Sequence, residues 1–557
     1  MRVTKLLFNA GTDASAEKLK ISPGNVTVFI GPNNGGKSAS LRDIFHRLTQ
    51  GTASSEIFQH IEHSKLDQME IDDRIASLTL EESSTRPGHV HFGYRGERHE
   101  LHLESLRGWL SSNANGDYPQ PAYPYFFRYL VLNLNGQNRL NMVSGGGAQN
   151  LREKPQSTIA ALFKDDDLRH SISSIVHAAF GRYLVVDATT MGQFQYAFSD
   201  VEPSVELARS FSEKSIEFFA KCQRLDSASD GTKAFIGILA EVMAGSHDIL
   251  LMDEPEAFLH PALAFLLGRE ITKNISDEKQ MFVATHSPHF LMGCMSVGGP
   301  VDIVRLTYRA QNATERHLPG VDLRKMMNDP LLKSIGVVGA LFFESAIVVE
   351  ADSDRAFYEE VNSRLHLHGD AGAISHTVFL NAHNKQEAVH IARVLRNVGI
   401  PAAIILDLDW IKEDGKVAQR YLAAAGMPAG LRQGTLDTCR QVRAYLEATG
   451  SDYKNGGISR LAGQELATAT AFFSQLERYG LFTVRNGELE NWLPDLSVTV
   501  RKDLWLGAVF DRMGSNSTAD TYVKPTDGDV WDFLRSINSW VRFNGREGMD
   551  YVDPAEL

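Results

Sequence analysis

The chain has 557 residues, 43% of them hydrophobic and 22% charged, and a formal net charge of −13. That length exceeds what one core supports, so at least two domains are expected, with the balance of an ordinary soluble globular protein. No apolar run approaches the ~18 residues that span a bilayer, the N-terminal stretch is too short in apolar residues for a secretory signal, and the acidic total leaves nucleic-acid binding to a local basic groove.

Three cysteines, Cys222, Cys294 and Cys439, lie far apart and form neither a disulfide framework nor a zinc pattern. A reducing cytoplasm without membrane partners is the expectation.

In chain order, the first strand expected is Val26–Ile30. It runs into Gly31-Pro32-Asn33-Asn34-Gly35-Gly36-Lys37-Ser38, and a helix is predicted over Ser38–Leu48. The pattern G-x-x-x-x-G-K-[ST] between a strand and a helix is a phosphate-binding loop. Its glycines let backbone N–H groups turn toward phosphates, and the helix N-terminus adds favourable partial charge. Lys37 is expected on the β- and γ-phosphates of ATP and Ser38 on Mg²⁺. About 190 residues then separate Lys37 from Ser229; they include a Gly/Ser/Asn-rich stretch at 144–150 and no sustained heptads, which excludes a long coiled-coil arm. A second strand, Ile249–Met252, ends in Asp253 and Glu254. With a phosphate loop upstream, Asp253 is expected to hold Mg²⁺ through water and Glu254 to polarise the attacking water. A third strand is predicted over Met281–Thr285, just before His286.

A new strand–helix series starts near residue 341, and the domain boundary is placed near 335, giving domains 1–335 and 336–557. Strand Ala346–Glu350 is followed by a helix from Asp354, strand His376–Asn381, a helix from Glu387 and strand Ala402–Asp409. Phe357, Val361 and Leu365 at i, i+4, i+8 make one buried stripe. Both domains therefore read as α/β with parallel strands. Glu350, Asp407 and Asp409 fall at strand ends, with Asp354 four residues beyond Glu350, on the carboxyl edge where open α/β sites form. Acids converging there repel one another unless a cation sits between them, and oxygen-rich sets of this kind suit Mg²⁺ or Mn²⁺.

The motifs resemble two families. Ser229-Asp230-Gly231-Thr232-Lys233 before an apolar helix resembles the signature segment of ABC-type ATPases. Pro255-Glu256-Ala257-Phe258-Leu259-His260-Pro261 resembles their D-loop, and Thr285-His286-Ser287-Pro288 their switch histidine. That resemblance implies that Ser229 and Gly231 of one subunit cover the nucleotide of another, hence a homodimer or a higher homo-oligomer. Gln137 is the residue that would match the Q-loop glutamine.

The second half resembles the Toprim domain: Glu350 after the first strand and Asp407-Leu408-Asp409 after a later one. Toprim domains usually carry glycine after that glutamate; Ala351 stands here. An ABC-type ATPase followed by a Toprim domain is similar to the OLD family of ATP-dependent nucleases. The resemblance implies Glu490, in Gly487-Glu488-Leu489-Glu490, as a further metal ligand. It also implies Lys524 as the downstream active-site lysine and Lys385 as a phosphate contact. The activity implied is an ATP-regulated, metal-dependent endonuclease, with DNA expected ahead of RNA, in anti-phage defence, alongside a defence-system partner such as a helicase, a retron or a second subunit. Two other readings stand beside it: a sensor or clamp ATPase with a degenerate Toprim domain, and a Toprim nuclease acting on RNA or tRNA.

Overall fold

Short runs rich in Val, Ile, Leu and Phe build the central sheets, because only such runs can be covered on both faces. The structure, a computed structural model, describes residues 1–557 except 14–15, 53–55, 95–96, 113–116, 137, 148–149, 151, 153–154, 191, 310–311, 319–322, 324–328, 330–331, 333–334, 451 and 550–557. The chain divides into two units, Met1–Met327 and Asn328–Leu557.

The first unit is organised around a six-stranded sheet. Its spatial order is Asn312–Leu318, Asp302–Arg309, Val26–Ile30, Gln280–Ala284, Ile249–Asp253, Val131–Leu134. Every neighbouring pair is parallel except the edge hairpin of Asp302–Arg309 with Asn312–Leu318. The phosphate loop, Asp253 and Thr285-His286 therefore leave the same edge of adjacent strands. The third predicted strand begins one residue early, at Gln280, and ends at Ala284. Gln280 is buried, with its amide exchanging hydrogen bonds with the N–H and carbonyl of Val3. The helix after the loop spans Lys37–Gln50 and buries Leu41, Ile44 and Leu48.

The second unit carries four strands in the order Thr377–Asn381, Ser345–Val349, Ala402–Asp407, Leu481–Val484, all parallel. Phe357, Val361 and Leu365 are fully buried in its core beside Trp531 and Leu534. Two boundaries differ from the sequence reading for local reasons. The helix expected from Asp354 starts at Asp352, and Asp354, in its first turn, reaches back to accept from the Ala351 N–H at 3.1 Å. The strand expected to reach Asp409 stops at Asp407 and tightens into a 3₁₀ turn over Leu408–Lys412. That turn buries Leu408 and Trp410 completely, and the indole N–H donates to Thr483 Oγ1 at 2.9 Å.

Three helices, Gly415–Ala424, Ala429–Ala448 and Gly463–Arg478, lie between the third and fourth strands. The loop before the last of them presses against the turn after Leu481–Val484. Gly487 has φ +119°, and a Cβ there would stand 1.8 Å from the Lys454 carbonyl oxygen, so only glycine allows this approach. Among the described residues no helix is long and apolar enough to cross a membrane.

Candidate active sites

The phosphate loop borders a cavity of about 890 Å³ lined by Asn33, Asn34, Lys37, Ser38, His286 and Tyr308, among others. The Ser38 hydroxyl donates to Asp253 Oδ1 at 2.9 Å, so the two groups expected around Mg²⁺ already meet. Lys37 donates to the carbonyls of Gly31 and Pro32 at 2.9 and 2.7 Å. Burial pushes its ammonium down to about 8, against the pull of Glu254, Asp253 and Glu256. A charged phosphate would relieve that burial cost. Burial also raises Asp253, with Glu254 adding to the effect. His286 is lowered by burial and by Lys37, and its Nε2 lies 3.6 Å from Glu254 Oε1.

Two residues outside the expected set, Glu256 and Arg139, hold this arrangement. Glu256 accepts from the Thr285 hydroxyl at 2.8 Å and the His286 N–H at 2.9 Å, fixing the switch segment to the D-loop. Arg139 donates to the backbone carbonyls of both Asp253 and Glu254. Glu254 sits at φ +50°, a left-handed conformation that costs a residue with a Cβ and must be held by its surroundings. Gly231 lies in the first turn of helix Asp230–Ala244, where a Cβ would stand 2.4 Å from the Phe258 carbonyl oxygen. Ser229 caps that helix by accepting from the Thr232 N–H at 3.3 Å. Gln137 lies outside the described residues. Arg139, two residues on, carried no signal by pattern, since its role is to bond carbonyls far along the chain.

At the carboxyl edge of the second sheet, Glu350 and Asp407 come together: the Asp407 N–H donates to Glu350 Oε1 at 3.0 Å. Burial pushes Glu350 up to about 7, with Asp409 and Asp354 adding to it. Burial and then Glu350 push Asp407 up to about 8. Asp354 is raised by burial and by Glu490. Glu490 Oε2 is a buried oxygen with no hydrogen-bond partner. Among the described residues no three His, Cys, Asp or Glu side chains already close into a metal cage. The donor set still fits a hard divalent cation: all oxygens, several buried, acids repelling one another, one oxygen unsatisfied. Ala351 has φ −138°, an ordinary extended conformation, so nothing in the backbone there requires glycine.

Two sequence expectations change at this edge. Asp409 is engaged differently from Asp407, although its charge still reaches Glu350. In an extended strand Asp407 and Asp409 would share a face, and the 3₁₀ turn separates them. Asp409 instead accepts from Lys385 Nζ at 2.6 Å, with Lys454 Nζ at 3.5 Å. Burial works against its charge, and the two lysines more than offset it, holding the carboxyl below its usual range. Lys524 is not at the edge. It is exposed, and the preceding Val523 carbonyl accepts from Arg364, late in the helix whose first turn carries Asp354. Ten residues of helix separate the two ends by ~15 Å. The lysines that the fold delivers are Lys385, Lys454 and Lys502. Lys454 and Lys502 flank Glu488 at 2.5 and 3.1 Å, and Lys502 lies 3.6 Å from Glu490. The glycines Gly456, Gly457 and Gly487 were the one sequence sign of the loop contact that brings Lys454 in.

Residues 216–292 match the family described as "AAA domain, putative AbiEii toxin, Type IV TA system". Residues 341–409 match the TOPRIM domain of overcoming lysogenization defect protein-like proteins. A match to an ATPase domain is thus followed, in one chain, by a match to a TOPRIM domain of the OLD-like type. No match was found among curated proteins. Among solved structures, the chain resembles an Smc head bound to the C-terminal winged-helix domain of ScpA, at 13% identity over 59% of this chain and 100% of that one, TM-score 0.33. It also resembles the SMC head domain from Thermotoga maritima, at 15% identity over 57% of this chain and 100% of that one, TM-score 0.29. A third is an Smc head domain with an extended coiled coil bound to the C-terminal domain of ScpA, derived from Pyrococcus furiosus. The identity is 12%, over 59% of this chain and 99% of that one, with a TM-score of 0.32. The structural overlap is slight in all three.

Proposed function

We propose that the chain is an ATP-regulated, divalent-metal-dependent endonuclease acting on DNA, in the defence of a cell against phage. The observation that carries the reading is the meeting of Glu350 and Asp407 at the carboxyl edge of an all-parallel sheet, within a TOPRIM match that follows an ATPase unit. Glu350 and Asp407 would hold Mg²⁺ or Mn²⁺, with Asp354 and Glu490 in support, and the ion would supply activation of water and charge stabilisation at phosphorus. Lys385, Lys454 and Lys502 offer ammonium groups to the phosphate backbone, and point charges of this kind bind phosphate without reading base identity.

In the ATPase unit, the backbone of Asn33, Asn34, Gly35 and Gly36 with Lys37 would cradle ATP, Ser38 and Asp253 its Mg²⁺, and Glu254 and His286 the attacking water. Ser229 and Gly231 would close the site of a second copy, which makes the working unit at least a dimer. The defence role rests on the family name of the second domain alone.

Purified protein is incubated with plasmid, linear DNA and RNA, with Mg²⁺ or Mn²⁺, with and without ATP. DNA is cut, and Asp407→Ala and Glu350→Ala remove cutting while ATP hydrolysis stays near normal. If cutting survives both variants, the second unit is no TOPRIM nuclease and the clamp or sensor reading takes over. RNA cut in preference to DNA would transfer the reading to an RNA substrate.

A further inference from the structure

Asp409 and Glu488 differ from the other acids of the TOPRIM edge. Both oxygens of each are engaged by ammonium groups. Lys385 Nζ sits 2.6 Å from Asp409 Oδ1, and Lys454 Nζ 3.5 Å from Oδ2. Lys454 reaches Glu488 Oε1 at 2.5 Å, and Lys502 its Oε2 at 3.1 Å. Glu350, by contrast, accepts the Asp407 N–H through Oε1, and Glu490 retains a buried oxygen without a partner.

The division follows from the backbone. Asp407 is the last residue of its strand, and its backbone N–H donates to the Glu350 carboxylate. Asp409 lies in the 3₁₀ turn, which swings it toward the helix starting at Lys385. The Leu408 N–H donates to the Gly487 carbonyl at 2.8 Å and pins the turn to the loop that receives Lys454. Lys454 is itself fixed by close approach: the Asn491 side-chain amide donates to the Lys454 carbonyl at 2.5 Å, and Gly487 leaves room for that carbonyl. This placement is built into the loops and does not depend on a free side chain wandering onto an acid.

We propose that this edge holds one divalent ion, on Glu350 and Asp407, and that the ammonium group of Lys454, with Lys385, takes at Asp409 the place of a second ion. The inference rests on the nuclease reading above and narrows it. A two-ion site uses both cations to balance the attacking and leaving oxygens of the phosphodiester. A dication added at Asp409 would lie beside two ammonium groups already bonded to that carboxylate, so like charges oppose it. Lys454 can serve the second role as a fixed cation that needs no recruitment from solution. Asp409 is then a positioning residue for Lys385 and Lys454, and not a ligand.

The test counts bound Mn²⁺ on the nucleotide-free full chain by isothermal titration and by the loss of free-Mn²⁺ EPR signal. The Glu350→Gln, Asp407→Asn double variant is the blank, so ions on the ATPase unit cancel. The expected difference is one ion per chain, and Asp409→Asn should still bind it with a Kd changed by less than about threefold. In the same Asp409→Asn variant DNA cleavage should fall although the ion is present. A difference of two ions, or an Asp409→Asn Kd weakened by about tenfold or more, overturns the lysine substitution and leaves the nuclease reading standing. No difference from the blank removes the metal site and the nuclease reading with it.

Discussion

The Ser38 hydroxyl and the Asp253 carboxylate, 215 residues apart in sequence, are hydrogen-bonded at 2.9 Å. They meet because their strands, Val26–Ile30 and Ile249–Asp253, both flank Gln280–Ala284 in a parallel sheet and end on one edge. Lys37 stands beside them with its ammonium turned onto loop carbonyls. Lys37→Ala is expected to abolish ATP hydrolysis and weaken nucleotide binding, since it removes the cation on the β- and γ-phosphates. Glu254→Gln should bind ATP normally and hydrolyse it at least about 100-fold more slowly, because an amide does not polarise water as a carboxylate does. Phosphate release and binding of a fluorescent ATP analogue measure the two effects separately. Normal turnover in either variant removes the assignment.

Lys524→Ala should leave DNA cleavage within about twofold of the parent, since the residue lies at the far end of the helix from Asp354. Lys454→Ala should lower cleavage by about tenfold or more, a loss in line with removing one charge stabiliser at a transferring phosphoryl group. Single-turnover cleavage of a linear duplex compares the two. The reverse order would restore Lys524 to the site.

Glu315 is buried, and its Oε2 accepts the Ala10 N–H at 2.9 Å. Burial pushes it up to about 7. The folded chain therefore holds a proton there that the unfolded chain gives up near pH ~4.5. Below that value the contribution is complete, and it is lost as pH rises through about 7, in total about 3 kcal/mol. Glu315→Gln keeps an acceptor for Ala10 and removes the titration. Thermal unfolding of nucleotide-free protein between pH 5 and 8 should fall more steeply with pH in the parent than in the variant. Parallel curves would show that Glu315 is ionised in the fold.

Arg396 is 1% exposed and donates to the backbone carbonyls of Ala402, Ala425, Tyr479, Gly480 and Gly548. It ties two strand starts and the C-terminal segment to one side chain. Arg396→Met should cost about 3–5 kcal/mol in the second unit, because several buried acceptors lose their donor at once. Urea denaturation monitored by tryptophan fluorescence measures it. A loss below about 1 kcal/mol would mean that water replaces the guanidinium.

The sequence was informative where chemistry is concentrated in contiguous motifs. The phosphate loop, Asp253-Glu254 and Asp407 each follow an apolar strand, and the strand fixes where the motif points. It was silent on Arg139, Glu256, Lys454 and Lys502, whose partners lie on other strands or loops and obey no spacing. It carried no sign of the turn at Asp409. A D-x-D reads as two ligands on one face only while the chain stays extended, and Leu408 and Trp410 close it into a turn by burying themselves. Lys524 differs for another reason: a resemblance along the chain carries no information about which end of a helix a lysine reaches.

The row Lys385, Asp409, Lys454, Glu488, Lys502, Glu490 alternates in sign from end to end. Its ammonium groups are matched by carboxylates before any polyanion arrives. A nucleic-acid backbone docking there exchanges partners with those carboxylates and meets no bare cationic surface. Counterion release, which normally makes such binding collapse with ionic strength, then contributes less than the number of lysines would suggest. Under the proposed function, affinity at this edge would depend on how readily a phosphate displaces an acid from its lysine, so that a chain of net charge −13 would need no globally basic surface.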